Sequence, residues 1–276
     1  MNMKNKLIFI LTVVLAMFLI ISSVSAGDMF DFFSDESNTE NTDDIFVVGF
    51  NSQFPPFGYV DDNNEYTGFD IELAKEVCKR NNWTFRAQPI IDWNTKELEL
   101  NSNEIDCIWS EFTIDGREDD YTWSEPYFNN SKAIIVKSDS DISNINDLKG
   151  KILEVQQGSS ILKTIEKNKT LSNTFKQVNQ VDGYDTALMD LDTGICDVVI
   201  ADIGLANYLV EKYPNTKLLN DTISYEKYGV GFKKGNTDLR DQVQKTLDEM
   251  FRDGTVDKIA QNYSRYEIPE NLIYPE

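Results

Sequence analysis

The chain has 276 residues, 41% of them hydrophobic, and its 47 acidic against 26 basic residues give a formal net charge of −21. This length allows two domains with their own cores once an N-terminal leader is set aside, and the apolar fraction predicts a folded chain rather than a disordered one. The acidic charge argues against a nucleic-acid binder, which needs a cationic face, and against adhesion to an anionic membrane surface.

Residue types that commonly carry catalysis and metal binding are scarce. The sequence contains no histidine, which removes the commonest general base and the commonest transition-metal ligand. Cys78, Cys107 and Cys196 stand singly in mainly apolar runs with no CxxC pair, so we predict buried thiols and expect no metal or cofactor. A Cys78–Cys107 disulfide stays open, because pairing cannot be read from spacing alone.

The N-terminal segment has the layout of a secretory signal. Two lysines precede an apolar run at residues 7–21, and the small residues 24–26 (VSA) form an acceptable cleavage site. Residues 1–26 are predicted to be a signal peptide, with an uncleaved anchor as the alternative because the run approaches the length of a membrane span. Residues 27–44 carry acidic but no basic residues, which is typical of a solvated tether. We therefore expect an exported protein, extracellular or at the cell surface.

The folded part opens with short apolar runs that alternate with helical patterns. Residues 45–50 (IFVVGF) form a β-rich run suited to a strand that is buried on both faces. Asp70 is the expected N-cap of a helix whose apolar side chains recur on one face. Residues 83–85 start a second strand, residues 94–103 have a helical pattern, and residues 105–109 start a third strand.

The rest of the chain repeats this alternation. Further strands are predicted at residues 134–136, 152–155, 198–200 and 228–232. Helices are predicted at residues 145–150, 160–166, 186–192, 204–212 and 239–251. The alternation predicts the α/β class with mainly parallel sheets covered on both sides. Two such series suggest two lobes, with a ligand beyond the carboxyl ends of the strands.

Residues that suit the groups of a small zwitterion follow several of these strands. The guanidinium of Arg117 can grip a carboxylate through two parallel hydrogen bonds. Residues 158–160 (GSS) open a helix whose free N–H groups suit the same carboxylate. Asp202 can meet an ammonium, and Phe54 and Trp93 can clamp an apolar stem.

Each of these residues also has an ordinary structural interpretation. A single arginine most often lies on the surface, an aspartate or serine at the start of a helix most often caps it, and aromatic residues most often pack in the core. Their joint placement favours a site. The residues by themselves predict only a two-lobed binding protein, or an enzyme, that acts on small anions.

Ordered motifs narrow this choice. They lie at residues 48–57 (VGFNSQFPPF), 68–74 (GFDIELA), 105–108 (IDCI), 113–117 (TIDGR), 123–127 (WSEPY), 147–150 (DLKG), 155–160 (VQQGSS) and 228–235 (YGVGFKKG). In these motifs the chain resembles the extracellular solute-binding proteins, family 3, which serve polar amino-acid ABC transporters. The similarity runs in order from about residue 45 to residue 263.

The resemblance implies an α/β, two-lobed, periplasmic-binding-protein-like (type II) fold with two hinge strands. The first lobe would comprise residues 45–134 plus 228–276, and the second lobe residues 135–227. The implied function is to capture a polar amino acid between the closing lobes and to deliver it to the membrane permease subunits of an ABC importer. On this interpretation the protein is a monomer, is not an enzyme and binds no nucleic acid.

The resemblance also assigns roles to residues of the site. Arg117 would hold the α-carboxylate of the ligand with help from Thr113 and Ser160, and Asp202 would bind the ammonium. Two aromatic residues would sandwich the side chain, and the other residues would line its far end or surround the α groups. The full implied set is Asn51, Phe54, Trp93, Ser110, Glu111, Thr113, Arg117, Gln156, Ser160 and Asp202.

Three features of this set bear on the ligand. The segment between Thr113 and Arg117 is one residue shorter than the family pattern, which can shift the approach of Arg117. Glu111 occupies a place more often taken by Gly, Ser or Met, where a carboxylate can pair with a cationic ligand, add an ammonium contact or form a surface salt bridge. Asn51 stands where binders of cationic amino acids usually carry Asp, which argues against a cationic ligand.

Two other functions are compatible with the resemblance. Some relatives are dehydratases that act on cyclohexadienyl acids, and Glu111 would be the candidate acid for such a reaction. Receptor ectodomains that share the fold are ligand sensors. Transport is the preferred interpretation, because the anchors of a binding protein account for every matched residue without a catalytic step.

Overall fold

The computed structural model describes residues 44–275 of the chain. The predicted leader at residues 1–26 lies outside the described residues, as does the predicted tether up to residue 43. Within residues 44–275, no helix has both the length and the apolar character that crossing a membrane requires.

Strands and helices alternate along the described chain. In order they are β1 (Ile45–Phe50), β2 (Gln53–Phe54), β3 (Gly58–Val60), β4 (Tyr66–Thr67), α1 (Phe69–Asn81), β5 (Thr84–Pro89), α2 (Lys96–Asn101), β6 (Cys107–Ile108), β7 (Thr122–Trp123), β8 (Phe128–Lys137), β9 (Ile152–Gln156), α3 (Ser160–Lys167), α4 (Lys169–Ser172), β10 (Gln177–Val181), α5 (Tyr184–Thr193), β11 (Val198–Asp202), α6 (Ile203–Lys212), β12 (Thr216–Tyr228), β13 (Gly231–Phe232), α7 (Thr237–Arg252) and α8 (Thr255–Gln261). Short 3-10 helices lie at Trp93–Thr95, Ile145–Leu148, Ser264–Tyr266 and Pro269–Asn271.

The first sheet combines strands from the N-terminal part of the described chain with one strand that returns late. Its order is β5-β1-β6-β13-β7. β1 pairs in parallel with β5 and β6, whereas β13 pairs antiparallel with β6 and β7. β1 is buried from Phe46 to Phe50, as predicted for a strand that is covered on both faces. A separate antiparallel sheet has the order β2-β3-β4.

The second sheet has the order β10-β9-β11-β8-β12. β9 pairs in parallel with β10 and β11, and β8 pairs antiparallel with β11 and β12. β8 follows β7 in the chain and β12 precedes β13, so these two strands connect the sheets. The lobe boundary predicted after residue 134 falls inside β8, and the one before residue 228 falls at the end of β12.

The apolar runs recognised in the sequence form the cores of these sheets. In one cluster Ile134, Leu153 and Ile200 pack together from three neighbouring strands, and all three are fully buried. Burying each such side chain contributes roughly 1.5–3 kcal/mol. Near-continuous apolar strands are therefore explained by sheets that are covered on both faces.

The three cysteines are buried, and none forms a disulfide. This confirms the prediction of buried thiols and leaves the alternative Cys78–Cys107 bond unformed. Burial raises the pKa of Cys78 and that of Cys196 to about 12. The thiolate, which is the reactive form, is therefore scarce at neutral pH.

The start of α1 differs from the prediction. The helix begins at Phe69 and its N-cap is Gly68, whose φ of 124° is accessible mainly to glycine. Asp70 lies inside the first turn, where its carboxylate accepts hydrogen bonds from Glu111 N at 2.6 Å and from Tyr127 OH at 2.8 Å. The prediction of Asp70 as the N-cap is wrong. Its carboxylate oxygens accept hydrogen bonds from Glu111 and Tyr127, whereas those of an N-cap accept from N–H groups of its own helix.

Candidate functional site

A buried cleft lies between the two sheets, beyond the carboxyl ends of their parallel strands. Its lining residues are Phe54, Trp93, Glu111, Phe112, Thr113, Arg117, Lys132, Gln156, Ser159, Ser160, Tyr184 and Asp202. All predicted ligand-binding residues except Asn51 and Ser110 are in this set. The location agrees with the expected position of a ligand in α/β sheets.

Asn51 and Ser110 lie beside the cleft rather than in its lining. The N–H of Asn51 donates to Ser110 Oγ at 2.8 Å, and Asn51 Oδ1 accepts from Gln53 N at 3.0 Å. Asn51 lines an adjoining recess that shares Trp93 and Gln156 with the cleft. The hydrogen bonds of Asn51 and Ser110 fix the loop that follows β1.

Arg117 reaches the cleft from the loop that follows Thr113. Its guanidinium donates to the carbonyl oxygens of Thr113 at 3.3 Å and Gly158 at 3.1 Å, and it lies 5.0 Å over the ring of Phe112. Arg117 is only 4% exposed. A guanidinium carries five N–H donors, so these two bonds leave donors for a carboxylate. The short segment between Thr113 and Arg117 therefore still delivers Arg117 to the cleft.

The turn before α3 approaches the opposite wall closely. Gly158 has a φ of +68°, and a Cβ there would lie 2.8 Å from Asn94 Oδ1. Ser159 precedes α3 and donates through Oγ to Gln156 O at 2.6 Å. Glycine at residue 158 adopts this backbone conformation without strain and avoids the close contact with Asn94. Ser159 and Ser160 line the cleft, so the N-terminal end of α3 lies at the cleft.

Asp202 shares a buried lysine with a second acid. The ammonium of Lys132, 3% exposed, pairs with Asp202 Oδ1 and, at 2.8 Å, with Glu226 Oε1. Asp202 Oδ2 accepts a hydrogen bond from Tyr228 OH at 2.5 Å. β8 supplies Lys132, β11 supplies Asp202, and β12 supplies Glu226 and Tyr228. Three neighbouring strands of the second sheet thus build one ion cluster.

Glu226 is further held by uncharged donors from both sides of the cleft. Its Oε1 accepts from Thr113 Oγ1 at 2.7 Å, Asn130 Nδ2 at 2.8 Å and Ser160 Oγ at 3.2 Å. Thr113 comes after β6 of the first sheet, whereas Ser160 is the first residue of α3, the helix that follows β9 of the second sheet. Glu226 therefore links the two walls of the cleft.

The cluster stabilises the charges that burial opposes. Burial works against the charge of Lys132, but the carboxylates of Asp202 and Glu226 raise its pKa above the ordinary value. Burial likewise works against the charge of Glu226, yet Lys132 holds the pKa of Glu226 below its ordinary value. For Asp202, burial outweighs the attraction of Lys132 and raises the pKa. One charged lysine is thus shared by two acids.

Glu111 is held at the cleft by its backbone and by its neighbours. Its φ is +41°, a left-handed conformation that costs a residue with a side chain roughly 1–3 kcal/mol. Its N–H donates to Asp70 Oδ2, and Ser110 Oγ donates to Glu111 Oε2 at 2.6 Å. The surface salt bridge considered for Glu111 is wrong, since the residue is only 7% exposed.

Two neighbouring carboxyl groups are shifted toward their protonated forms. Burial raises the pKa of Glu111 well above its ordinary value, and the charges of Asp70 and Asp202 add to this rise, whereas the hydrogen bond from Ser110 opposes it. Burial raises the pKa of Asp70 to about 7, although its bonds from Glu111 N and Tyr127 OH lower it. Both groups hold protons at pH values where exposed carboxyl groups are ionised.

The Asp70→Asn variant is expected to lessen the pH dependence of stability between about pH 4 and pH 7. In the wild type the folded state binds the Asp70 proton more tightly than the unfolded state, so its contribution to stability is present below pH 4 and is lost as the pH rises through about 7. The slope from this one group approaches about 1.4 kcal/mol per pH unit. Urea denaturation at several pH values measures it. Asp139→Asn, at an exposed position, should keep the wild-type slope, and the same slope in Asp70→Asn would contradict the assignment.

Paired aromatic rings shape the rest of the cleft. The ring of Phe54 packs against Tyr184 with centroids 5.8 Å apart, and the ring of Trp93 packs against Phe112 at 6.0 Å, both nearly perpendicular. Such edge-to-face pairs fix ring orientation. The two predicted aromatic residues therefore line the same cleft, each held by a second ring that the sequence did not single out.

Lys132 and Glu226 are the charged residues of the ion cluster that were not predicted from the sequence. For Lys132, the sequence pattern of its strand gave a weak indication that the residue is buried. Asn130, Lys132 and Ile134 occupy alternate positions of β8 and are all buried, so a polar residue shares the inward face of an apolar strand. Glu226 lies in β12, whose sequence has no clear apolar alternation, and no signal distinguishes it from a residue on a solvated face.

The chain is similar in sequence to known binding proteins. Residues 46–266 match the family described as bacterial extracellular solute-binding proteins, family 3. The probable amino-acid-binding protein YxeM of Bacillus subtilis (strain 168) is 29% identical over 97% of this chain and 98% of its own length. The L-cystine-binding protein TcyA of the same strain is 30% identical over 79% of this chain and 81% of its own length.

Solved structures of similar sequence have the same fold. An ABC uptake transporter substrate-binding protein from Streptococcus pneumoniae with bound histidine has a TM-score of 0.75 and 31% identity, over 79% of this chain and 92% of its own. An ancestral arginine-binding protein bound to arginine has a TM-score of 0.73 and 34% identity, over 79% and 97% of the two chains. These matches confirm the predicted α/β, periplasmic-binding-protein-like (type II) fold. The chain belongs to the bacterial extracellular solute-binding proteins of family 3.

Proposed function

We propose that the protein captures a free polar amino acid outside the cell and delivers it to the membrane permease subunits of an ABC importer. The family and the relatives named for amino-acid binding support an amino acid as the ligand. The observation that carries this proposal for the chain itself is that Arg117 and Asp202 line one buried cleft. A cation and an acid are thereby available for the two α groups of a single ligand.

The proposed contacts to the α groups use both walls of the cleft. Arg117 binds the α-carboxylate through donors that its two carbonyl contacts leave over. The N–H groups at the start of α3, near Ser160, face the same carboxylate, and Thr113 completes its surroundings. Asp202 binds the α-ammonium on the side away from Lys132, because one lysine charge does not neutralise both Asp202 and Glu226.

The side chain of the ligand is proposed to lie between aromatic walls. Phe54 and Trp93 line the cleft together and are each nine-tenths or more buried. Gln156 borders both the cleft and the adjoining recess that Asn51 lines. A long polar side chain held between these rings can extend toward the recess or toward Glu111, which lines the cleft together with Phe54 and Trp93. Ser110 bonds to Asn51 and Glu111 and so fixes this wall of the cleft.

The connecting strands support closure of two lobes around the ligand. The proposed lobes are residues 45–134 plus 228–276 and residues 135–227, joined through β8 and β12. The bond from Arg117 to the carbonyl of Gly158 joins one proposed lobe to the other. The protein is proposed to be exported and monomeric, and to bind its ligand without a catalytic step.

Isothermal titration with the twenty amino acids and cystine tests this function. The purified protein is first unfolded and refolded to remove any ligand carried through purification. Saturable binding of one or a few polar amino acids is expected, with the affinity tightened by burial of the ligand between the walls. Absence of saturable binding to every compound would contradict the proposal.

A further inference from the structure

The charges of Arg117 and of the Lys132 ion cluster cancel without Glu111. Arg117 and Lys132 are cations, while Asp202 and Glu226 are anions, and all four are at least nine-tenths buried. An amino acid with a neutral side chain adds one carboxylate and one ammonium. The sum of the four residues and such a ligand is zero, which suits a buried site where unpaired charges are costly. An ionised Glu111 would therefore add one uncompensated negative charge.

No described residue supplies Glu111 with a cation of its own. Lys132 contacts Asp202 and Glu226, and the hydrogen-bond partner of the Glu111 side chain is the neutral hydroxyl of Ser110. Burial and the neighbouring acids Asp70 and Asp202 disfavour the ionised form of the Glu111 carboxyl group. The titratable and charged groups around it are Asp70, Tyr127, Lys132, Tyr184, Asp202 and Tyr228.

The placement of Glu111 indicates a role in recognition rather than in packing. The residue keeps a left-handed backbone, with φ of +41°, in the loop beyond β6, and its side chain lines the cleft. A strained non-glycine residue persists where the surroundings impose it, most often at ligand sites. The bond from its N–H to Asp70 holds the backbone of Glu111 in place, and the bond from the Ser110 hydroxyl holds its side chain.

We propose that Glu111 recognises a cationic group on the ligand's side chain and binds this cation in exchange for its own proton. This inference rests on the proposed function and specifies its ligand class as basic amino acids. The acid comes from residue 111 in the cleft lining rather than from residue 51, so the sequence argument from Asn51 against a cationic ligand does not hold. The O–H bond of the carboxyl group breaks, the proton passes to solvent, and the electron pair stays on the carboxylate that pairs with the ligand. The total charge of the closed cleft is then zero with a basic ligand as well.

Arginine and citrulline test the exchange, because the two amino acids have nearly the same shape and differ in side-chain charge. Titrations in buffers of different ionisation enthalpy give the number of protons released on binding. Arginine should release about one proton and gain up to about tenfold in affinity per pH unit while Glu111 is protonated in the free protein. Citrulline should release none. Lysine and ornithine serve as further basic ligands, and glutamine as a further neutral one.

The Glu111→Gln variant identifies the source of the proton. The variant keeps the shape of the side chain and should lose proton release. Its affinity for the basic ligands should fall by at least about tenfold more than its affinity for citrulline. Glu249→Gln, at an exposed position of α7, is the matched control and should behave as the wild type. Thermal denaturation of both variants establishes that they fold.

Several outcomes would overturn this inference and leave the proposed function intact. They are binding of neutral amino acids alone, binding of a basic ligand without proton release, equal proton release with citrulline, and proton release that persists in Glu111→Gln. Equal release with citrulline would place Glu111 at the α-ammonium, and persistent release would assign the proton to another carboxyl group such as Asp70. Failure of every amino acid to bind would instead overturn the proposed function.

Discussion

Replacing Arg117 by alanine is expected to weaken binding of the amino-acid ligand by about 2–5 kcal/mol, which corresponds to roughly 30-fold to several thousand-fold in Kd. The physical reason is the loss of a buried, preoriented cation that pairs with the α-carboxylate. In the folded protein the guanidinium already lies over Phe112 and is fixed by the carbonyls of Thr113 and Gly158. Little side-chain entropy is therefore lost when it binds a carboxylate. Titration calorimetry with the ligand found for the wild type measures the change.

Two further variants separate the role of Arg117 from its contribution to folding. Arg117→Lys keeps the charge but loses the planar fork, so its affinity should lie between those of the wild type and the alanine variant. Arg252→Ala, at an exposed position on α7, should leave the affinity unchanged. Circular dichroism melting curves report whether Arg117→Ala remains folded. A folded Arg117→Ala variant with an affinity within about threefold of the wild type would remove Arg117 as the anchor.

The sequence predicted the class of fold, and it singled out two residues, Arg117 and Asp202, that lie in one cleft, because both inferences depend on local patterns. Apolar runs such as residues 45–50 and 198–200 became buried strands of two sheets. Arg117 and Asp202 were singled out because they follow strands, and the carboxyl ends of parallel strands meet where a ligand binds. The structure places both residues in one cleft. Topology alone therefore brings together residues that lie far apart in the chain.

The sequence did not predict features that depend on tertiary partners. Asp70 has the residue type of an N-cap, but long-range donors to its carboxylate overrode that local preference. Most of β12, at Thr216–Tyr228, was missed because its sequence does not alternate and its pairing with β8 contains register shifts. Glu226 was missed with it. From the sequence alone, a charged residue on such a strand is interpreted as solvent-exposed, because its pairing with a buried lysine on the neighbouring strand is not apparent.

The second large effect is expected for Lys132→Met, which should lower the free energy of unfolding by about 3–5 kcal/mol near pH 7.5. The variant removes the cation shared by Asp202 and Glu226 and leaves two carboxylates buried beside each other. Methionine fills a similar volume, so the lost ion pairing outweighs any change in packing. Urea denaturation of the variant and of Lys245→Met, at an exposed position on α7, measures the difference. The control should stay within about 0.5 kcal/mol of the wild type.

The pH dependence of Lys132→Met distinguishes a lost ion cluster from a simple packing defect. Without the lysine, burial and mutual repulsion raise the folded-state pKa values of Asp202 and Glu226 above their unfolded values. Their protonated forms then favour folding, so stability is retained below about pH 4 and falls as the pH rises through the folded-state values. The defect should accordingly shrink from pH 7.5 to pH 5, and adding Glu226→Gln to Lys132→Met should recover part of it at pH 7.5. A defect that is the same at both pH values, or a loss below about 1 kcal/mol, would show that Lys132 does not neutralise these acids.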